Sequence, residues 1–272
     1  IGQDTLYNAG FDPSAQARMY EQLLAANRFG RRPPEFLLTH PLTESRISDS
    51  RGRALRYPRR NYAASLNYQI MRARVIGHYA QDKAALVLDS EQNFKNSTSP
   101  FNEEVNRYAL TVAYWENEQY AEADRTLAPL LAKYPNLINL VVTQAEIFTK
   151  QNEAGRAIQY LERHLEINPE NHPLTMAHVD ALLASRSYNA AAEVMERHTK
   201  NRESDHHLWY QLAETWGQAG NISKVHQARA EYFTLISDFR NARQQLQFAL
   251  QIETDEAGNP ALQARLRQKI KE

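Results

Sequence analysis

The fold is decided by Tyr134-Pro135-Asn136 and Asn168-Pro169-Glu170, two proline-containing stretches of the same pattern. A proline fixes its own φ and disfavours helix at the residue before it, so each stretch ends one helix and lets the next begin at a set angle. The spacing of the two prolines matches the period of about 34 residues found in arrays whose every unit is a pair of helices. The two stretches therefore predict successive helix pairs in one register.

The small and bulky residues keep that register over three units. When each proline is given position 32, position 20 is alanine throughout, and positions 11 and 24 are bulky. A small residue at position 20 lets two antiparallel helices approach closely, and the bulky residues fill the space beside it. This pattern predicts an all-α, tetratricopeptide-type helical solenoid. The residues are Ala123, Ala157 and Ala191 at position 20, Tyr114, Phe148 and Leu182 at position 11, and Leu127, Leu161 and Met195 at position 24.

The array extends on both sides of these units, and we expect about four to five of them in total. Residues 61–95 predict a diverged first pair of helices, and Glu203 replaces the third proline without ending the pattern. Helix 223–236 is predicted to belong to two neighbouring pairs: it is the second helix of the pair before it, and the residues after it again show the pattern of a second helix. A charged last helix, 261–271, supplies the polar end that a solenoid requires.

The first helix of each pair is expected to line the concave surface through positions 2, 5, 9 and 12, which makes that surface a protein-binding candidate. Core packing is the competing interpretation of the three aromatic members, since aromatic residues at helical spacing commonly pack between helices. Valine and glutamate stand where relatives that bind acidic chaperone tails carry basic residues and asparagine, so such tails are not expected to bind. The candidates are Tyr108, Trp115, Val142, Glu146, Met176, Asp180, His207, Tyr210 and Glu214.

Charge and composition exclude several classes of function. Lysine plus arginine equals aspartate plus glutamate at 32 each, so neither nucleic acid nor an anionic membrane is expected as a partner. The chain has no cysteine, which excludes disulfides, thiolate catalysis and cysteine zinc sites. No apolar run approaches the roughly 18 residues needed to cross a bilayer, so no transmembrane segment is expected.

Two pairs of histidines invite a metal-site interpretation. His164 and His198 share position 27 of their units, but they lie one repeat apart and are expected to pack within the array. His206 and His207 are adjacent, so we expect their side chains to point to different faces of a helix. Neither pair is predicted to bind a metal.

The N-terminal segment, residues 1–60, is not part of the repeats. Residues 1–9 and 14–27 predict two helices, the second started by Asp12-Pro13. The most informative stretch is Thr39-His40-Pro41, in which the histidine is held extended by the proline that follows it. Arg46 comes shortly after this histidine, at the start of a predicted helix.

Ala9-Gly10-Phe11-Asp12-Pro13, Thr39-His40-Pro41 and Arg46 together resemble the end of the protease domain in the Ste24/HtpX-like zinc metalloproteases. The downstream repeats make the chain similar to periplasmic members of that family, over essentially its whole length. The resemblance implies that residues 1–58 are the helical C-terminal tail of a gluzincin protease domain. Residues 59–272 would then be its tetratricopeptide solenoid with a C-terminal capping helix.

The resemblance also implies where the chemistry lies. The family's HExxH helix and its glutamate ligand are absent from this sequence, which is expected to start just after that glutamate. Zinc is therefore expected in the full-length protein but not tightly bound by this segment, which should be inactive alone. His40 is expected to face the zinc, as an extra ligand or as a group that steadies the transition state, and Arg46 to stabilise an oxyanion. Without the resemblance, the competing interpretation is that His40 is an ordinary surface histidine and that Arg46 is an arginine at the start of a helix, neither with a role in catalysis.

The implied function is that of a protein-binding segment in a periplasmic zinc metalloendopeptidase for outer-membrane β-barrel assembly and quality control. The implied partners are outer-membrane β-barrel proteins, their assembly machinery and unfolded protein clients. The alternative is a non-catalytic tetratricopeptide scaffold or chaperone-like adaptor, in which the N-terminal segment only caps the solenoid. An HExxH motif in the upstream gene sequence would distinguish the two.

Overall fold

The computed structural model describes residues 2–26, 44–58, 60, 62, 65–255 and 258–271. All regular elements within these ranges are α-helices, which confirms the predicted all-α class. The chain divides into two compact units, Ile1–Ser65 and Leu66–Glu272. The boundary predicted from the sequence, after residue 58, falls earlier in the chain. Residues 27–43, which contain His40, lie outside the described residues.

The first unit contains helices α1 (Gly2–Asn8), α2 (Ala15–Ala26) and α3 (Glu44–Ala54). The Asp12 side chain begins α2 as predicted, because its Oδ1 accepts a hydrogen bond of 2.9 Å from the backbone N–H of Ser14. Gln3 is buried and joins α1 to α3, donating from Nε2 to the carbonyl of Ser50 at 2.8 Å and to its hydroxyl at 3.1 Å.

The second unit is a succession of antiparallel helix pairs, and it is a tetratricopeptide-type solenoid. Within the described residues of this unit, each helix packs against its neighbours along the chain or against the next first helix. The helices are α4 (Leu66–Tyr79), α5 (Lys83–Lys95), α6 (Pro100–Glu116), α7 (Tyr120–Lys133), α8 (Ile138–Lys150), α9 (Ala154–Ile167), α10 (His172–Ala184), α11 (Tyr188–Lys200), α12 (His206–Gln218), α13 (Ile222–Leu235), α14 (Phe239–Asp255) and α15 (Pro260–Lys271).

The repeat register is visible in the turns between paired helices. Glu118, Asn152, Arg186 and Gly220 follow one another at the same interval as the two prolines, and all four have positive φ, between 60° and 77°. A residue in this left-handed region closes a helix and reverses the chain. Ser237, with φ of 64°, makes the same turn between α13 and α14. Helix α13 packs against both α12 and α14, as α7, α9 and α11 also pack against both of their neighbours along the chain, so its predicted membership of two pairs stays a prediction.

The positions that identified the repeat form the core. Ala123, Ala157 and Ala191 are fully buried, as a close approach of paired helices requires. Between α4 and α6, Gly77 permits a comparable approach, because a β-carbon there would lie 2.5 Å from Cγ1 of Val112. The alanines thus bring the two helices of a pair together, and the contact at Gly77 holds the first helices α4 and α6 side by side, where the site described next lies.

Candidate protein-binding groove

A groove of about 360 Å³ opens between three first helices, α4, α6 and α8. It combines residues that the repeat register predicted for the concave surface with residues of α4. Trp115 and Glu146 are predicted binding residues, and Val112 stands at position 9 of its unit, which the register also predicts to line the concave surface. The full lining of this α4–α6–α8 groove is Arg74, Val75, His78, Tyr79, Val112, Trp115, Glu116, Thr143 and Glu146.

An ion pair between Arg74 and Glu146 joins α4 to α8. The guanidinium donates from Nη2 to Glu146 Oε1 at 2.7 Å and from Nη1 to Oε2 at 3.0 Å. Nη1 also donates to the hydroxyl of Thr143 at 3.0 Å. Burial disfavours the charge on Arg74, but the hydrogen bonds and charge of Glu146 outweigh it and raise the pKa of the guanidinium. The guanidinium therefore keeps its charge, and its hydrogen bonds join two helices that are not neighbours along the chain.

Tyr108 lies beneath this ion pair and does not reach the surface. Its side chain is 0% exposed, and its hydroxyl lies 2.8 Å from the hydroxyl of Thr143. Burial raises the pKa of the Tyr108 hydroxyl, which remains neutral. The expectation that Tyr108 contacts a partner is therefore wrong for this structure: its ring is core, and it supports the residues that line the groove.

Trp115 is half-buried and lines the groove with its ring. Its indole Nε1 is buried and has no acceptor among the described residues. Such a donor costs about 1–3 kcal/mol relative to one that is hydrogen-bonded. Because the nitrogen is inaccessible, the surface that Trp115 offers to the groove does not include its one polar atom.

The charges around the groove are matched. Arg74 is bonded to Glu146, and Glu116 forms an ion pair with Lys83 at 2.8 Å. Val75 and Tyr79 contribute apolar surface that is largely open to solvent, with 54% and 71% of each residue exposed. The groove therefore presents apolar walls together with charges that already have partners.

Six of the groove residues do not follow from the predicted lining positions: Arg74, Val75, His78 and Tyr79 of α4, Glu116 of α6 and Thr143 of α8. The signal was available, because Arg74 stands one repeat interval before Tyr108, and His78 stands one interval before Val112. The repeat register, extended back by one unit, therefore predicts Arg74 and His78 at lining positions, but not the other four residues.

The remaining predicted binding residues lie outside this groove. Val142 and Met176 are half-buried against the core, whereas Asp180 is exposed to solvent but surrounded by protein. Desolvation, followed by repulsion from Glu146, raises the pKa of Asp180. The Asp180 carboxyl is therefore in contact with water and yet partly desolvated by the protein around it. This combination is expected for a side chain in a concave surface, which water reaches from one side only.

On α12, His207, Tyr210 and Glu214 are all exposed. Tyr210 is 46% exposed and packs edge-on against Tyr232, with ring centres 5.5 Å apart. A hydrogen bond from its hydroxyl to Glu214 raises the pKa of Tyr210. These three side chains remain available to a partner, and their role stays a prediction.

The histidines pack in two different ways. His198 is buried, and its Nε2 lies 2.9 Å from Nδ1 of His172 in a stacked arrangement, while His164 packs on the edge of Tyr160. The prediction that His206 and His207 point to different faces is wrong, because their ring centres are 4.1 Å apart. Both stand in the open first turn of α12, where a rotation of about 100° per residue still lets two rings meet.

Arg46, the predicted oxyanion-stabilising residue, lies on α3 in the first unit. Its side chain is exposed, with the guanidinium carbon 5.6 Å from the centre of the Tyr20 ring. It borders a polar cleft of about 560 Å³ that also contains Asp4 and Asp49. His40 lies outside the described residues, so its predicted proximity to Arg46 stays a prediction.

The described residues contain no group of three or more histidine, cysteine, aspartate or glutamate side chains placed to hold a metal ion. About three protein ligands are needed to hold a catalytic zinc. Among the helices of the described ranges, none is both long and apolar enough to span a bilayer.

Residues 83–228 match the family model described as ChAPs (Chs5p-Arf1p-binding proteins). The match runs from the start of α5 into α13, so it concerns the repeats. Among solved structures, a tetratricopeptide repeat protein from Parabacteroides merdae ATCC 43184 aligns with a TM-score of 0.45 and 13% identity, over 83% of this chain and 91% of that chain.

The chain is also similar to curated proteins named beta-barrel assembly-enhancing protease. It is 32% identical over 237 residues to the protein of Escherichia coli (strain K12), covering 86% of this chain and 48% of that protein. It is 31% identical over 236 residues to the protein of Yersinia pestis, with the same two coverages. The chain thus spans about half the length of the curated relatives it matches.

Proposed function

Since the chain belongs over residues 83–228 to the ChAPs (Chs5p-Arf1p-binding proteins) family and is a relative of the beta-barrel assembly-enhancing proteases, we propose that it is the protein-binding arm of a protease. In this proposal the solenoid holds unfolded outer-membrane β-barrel proteins, or their assembly machinery, for a zinc metalloendopeptidase of the Ste24/HtpX-like type that works in the periplasm. The zinc and its main ligands belong to a longer protein, and Arg46 and His40 complete that site.

The observation that carries the proposal is the convergence of repeat positions on one groove. Val112 and Trp115 of α6 and Glu146 of α8 meet at the opening that α4 completes. Clefts with apolar walls and a few fixed polar groups are typical binding sites. The Arg74–Glu146 pair holds the groove open without a partner present, which reduces the ordering that binding would require.

Binding and cleavage test the two parts of the proposal separately. For binding, a urea-denatured outer-membrane β-barrel protein is diluted onto the immobilised chain, with the same protein folded in detergent as the control. We expect the denatured form to be retained and the folded form to pass. Equal retention of both forms, or of neither, would contradict a client-holding role.

For cleavage, the chain and the longer gene product are each incubated with zinc and the denatured β-barrel protein. We expect cleavage by the longer protein only, because this chain lacks the HExxH motif. Cleavage by the chain alone would show that its site is complete. If the longer protein also leaves the client intact, the non-catalytic scaffold becomes the better explanation.

A further inference from the structure

We propose that the α4–α6–α8 groove takes one large, uncharged side chain, aromatic or aliphatic, from a segment of a partner protein. This inference rests on the proposed protein-binding function and names the chemistry that the binding arm recognises. It concerns a single anchor residue, and it leaves the remainder of the partner to other parts of the array.

The pairing of the Arg74, Glu146 and Glu116 charges disfavours a charged occupant, and His78 is the one histidine that lines the groove, outside these pairs. An acidic side chain needs a cation, but Arg74 already makes two hydrogen bonds to Glu146. A basic side chain needs a carboxylate, but Glu146 is held by Arg74 and Glu116 by Lys83. Burying a charge without a partner is unfavourable. An uncharged side chain can enter without breaking either pair.

The walls favour an apolar occupant. Val75 and Tyr79 are among the most exposed large hydrophobic residues of α4, and they face the groove together with Val112 and Trp115. Trp115 offers apolar surface and not its nitrogen, since Nε1 is buried. A side chain inserted here would cover apolar surface that is otherwise in contact with water, which is the main source of favourable free energy in such binding.

The size of the groove suits one large side chain. A volume of about 360 Å³ lies at the lower end of the range for small-ligand pockets, roughly 300–1,000 Å³. The groove is also fixed in shape, by the Arg74–Glu146 pair and by the approach of α4 to α6 at Gly77.

The test uses flexible glycine- and serine-rich host peptides with one variable residue, phenylalanine, leucine, aspartate or lysine. Their affinities are measured for the chain and for two variants, Val75→Asp in the groove and Leu88→Asp on α5. Both positions are exposed, at 54% and 67%, so neither variant should unfold the helix; far-ultraviolet circular dichroism checks this. Leu88 does not line the groove, which makes it the matched control.

We expect the phenylalanine and leucine peptides to bind the chain more tightly than the aspartate and lysine peptides, by about tenfold or more. Val75→Asp should remove this preference, and Leu88→Asp should retain it. Equal binding of the lysine or aspartate peptide, no binding by any peptide, or equal effects of the two variants would overturn the inference. A dimer that Val75→Asp alone dissociates would also overturn it, because the occupant would then be a second copy of the chain.

The same variants separate this inference from the proposed function. If the chain retains the denatured β-barrel protein and Val75→Asp changes nothing, the client-holding role stands and the anchor chemistry is wrong. If the denatured protein is not retained but the phenylalanine peptide still depends on Val75, the groove chemistry stands and the proposed client is wrong.

Discussion

At the scale of single residues, Arg74 does most to define the candidate site. Its guanidinium bonds to Thr143 and Glu146 on α8 although it belongs to α4, and it lies above the buried ring of Tyr108. Neither partner is deeply buried, since each side chain is roughly a third exposed. The contribution of this pair to stability is therefore expected to exceed that of a surface ion pair, which is small, and to be less than the cost of breaking a fully buried one.

A double-mutant cycle on this pair tests its contribution. We expect Arg74→Met and Glu146→Gln each to lower the free energy of unfolding by about 1–2 kcal/mol, because each leaves a partly buried group without its partner. The double variant should lose less than the sum of the two losses. Urea unfolding measures all four proteins, and strict additivity would show that the two side chains do not interact.

Tyr108 and Trp115 show what a repeat register can and cannot predict. The register places both on the first helix of one unit, at lining positions. Which of them reaches the surface depends on Arg74 and Glu146, which close over Tyr108 from two other units. Contacts between residues this far apart in sequence leave no periodic signal, so core packing and lining could not be distinguished beforehand.

At the scale of helices, packing follows from small residues at fixed intervals. Ala157 on α9 is fully buried in a cluster that includes Val141 and Phe148 of α8 and Leu174 of α10. A larger side chain there has no free space to occupy. The close approach of α8 and α9 therefore depends on the alanine, as the sequence predicts.

We expect Ala157→Leu to lower the free energy of unfolding by about 1–3 kcal/mol through overpacking. Ala190→Leu, on the exposed side of α11, serves as the control and should change stability by less than about 0.5 kcal/mol. Thermal or urea unfolding monitored by circular dichroism measures both. An equal response of the two variants would contradict the packing described for α8 and α9.

The histidine pair between α10 and α11 makes these helices sensitive to pH. Desolvation lowers the pKa of both His172 and His198 below the ordinary value of 6.5, and for His198 the neighbouring His172 and Arg202 lower it further while Glu170 and Asp205 oppose them. The folded state thus binds protons less readily than the unfolded state. Their contribution to stability is complete above pH 6.5 and is lost as the pH falls through the unfolded and then the folded pKa.

We therefore expect the urea concentration at the unfolding midpoint to decrease when the pH is lowered from 8 to 5.5. The decrease should be smaller for the His198→Gln variant. His207→Gln, at an exposed position, is the control and should follow the unaltered chain. If His198→Gln shows the same pH dependence as the unaltered chain, the stacked pair is not responsible for it.

At the scale of the whole molecule, the two units differ in how far the sequence could describe them. The solenoid can be predicted from the interval between its prolines, because a repeat imposes the same local packing many times. The pattern found in one unit therefore predicts the positions of the core residues in the next. The first unit has no repeat. Its expected chemistry depends on His40, which lies outside the described residues, and on Arg46, whose exposed position on α3 defines no reaction by itself.

The central claim is that the face formed by the first helices holds protein segments, and photo-crosslinking tests it most directly. A photoreactive phenylalanine analogue is placed at Tyr79 in the groove or at Leu88 on α5, two sites of similar exposure, 71% and 67%. Each protein is then irradiated with the denatured β-barrel protein. We expect a covalent adduct from position 79 and little or none from position 88. Equal adducts from both positions, or an adduct from position 88 alone, would contradict the claim.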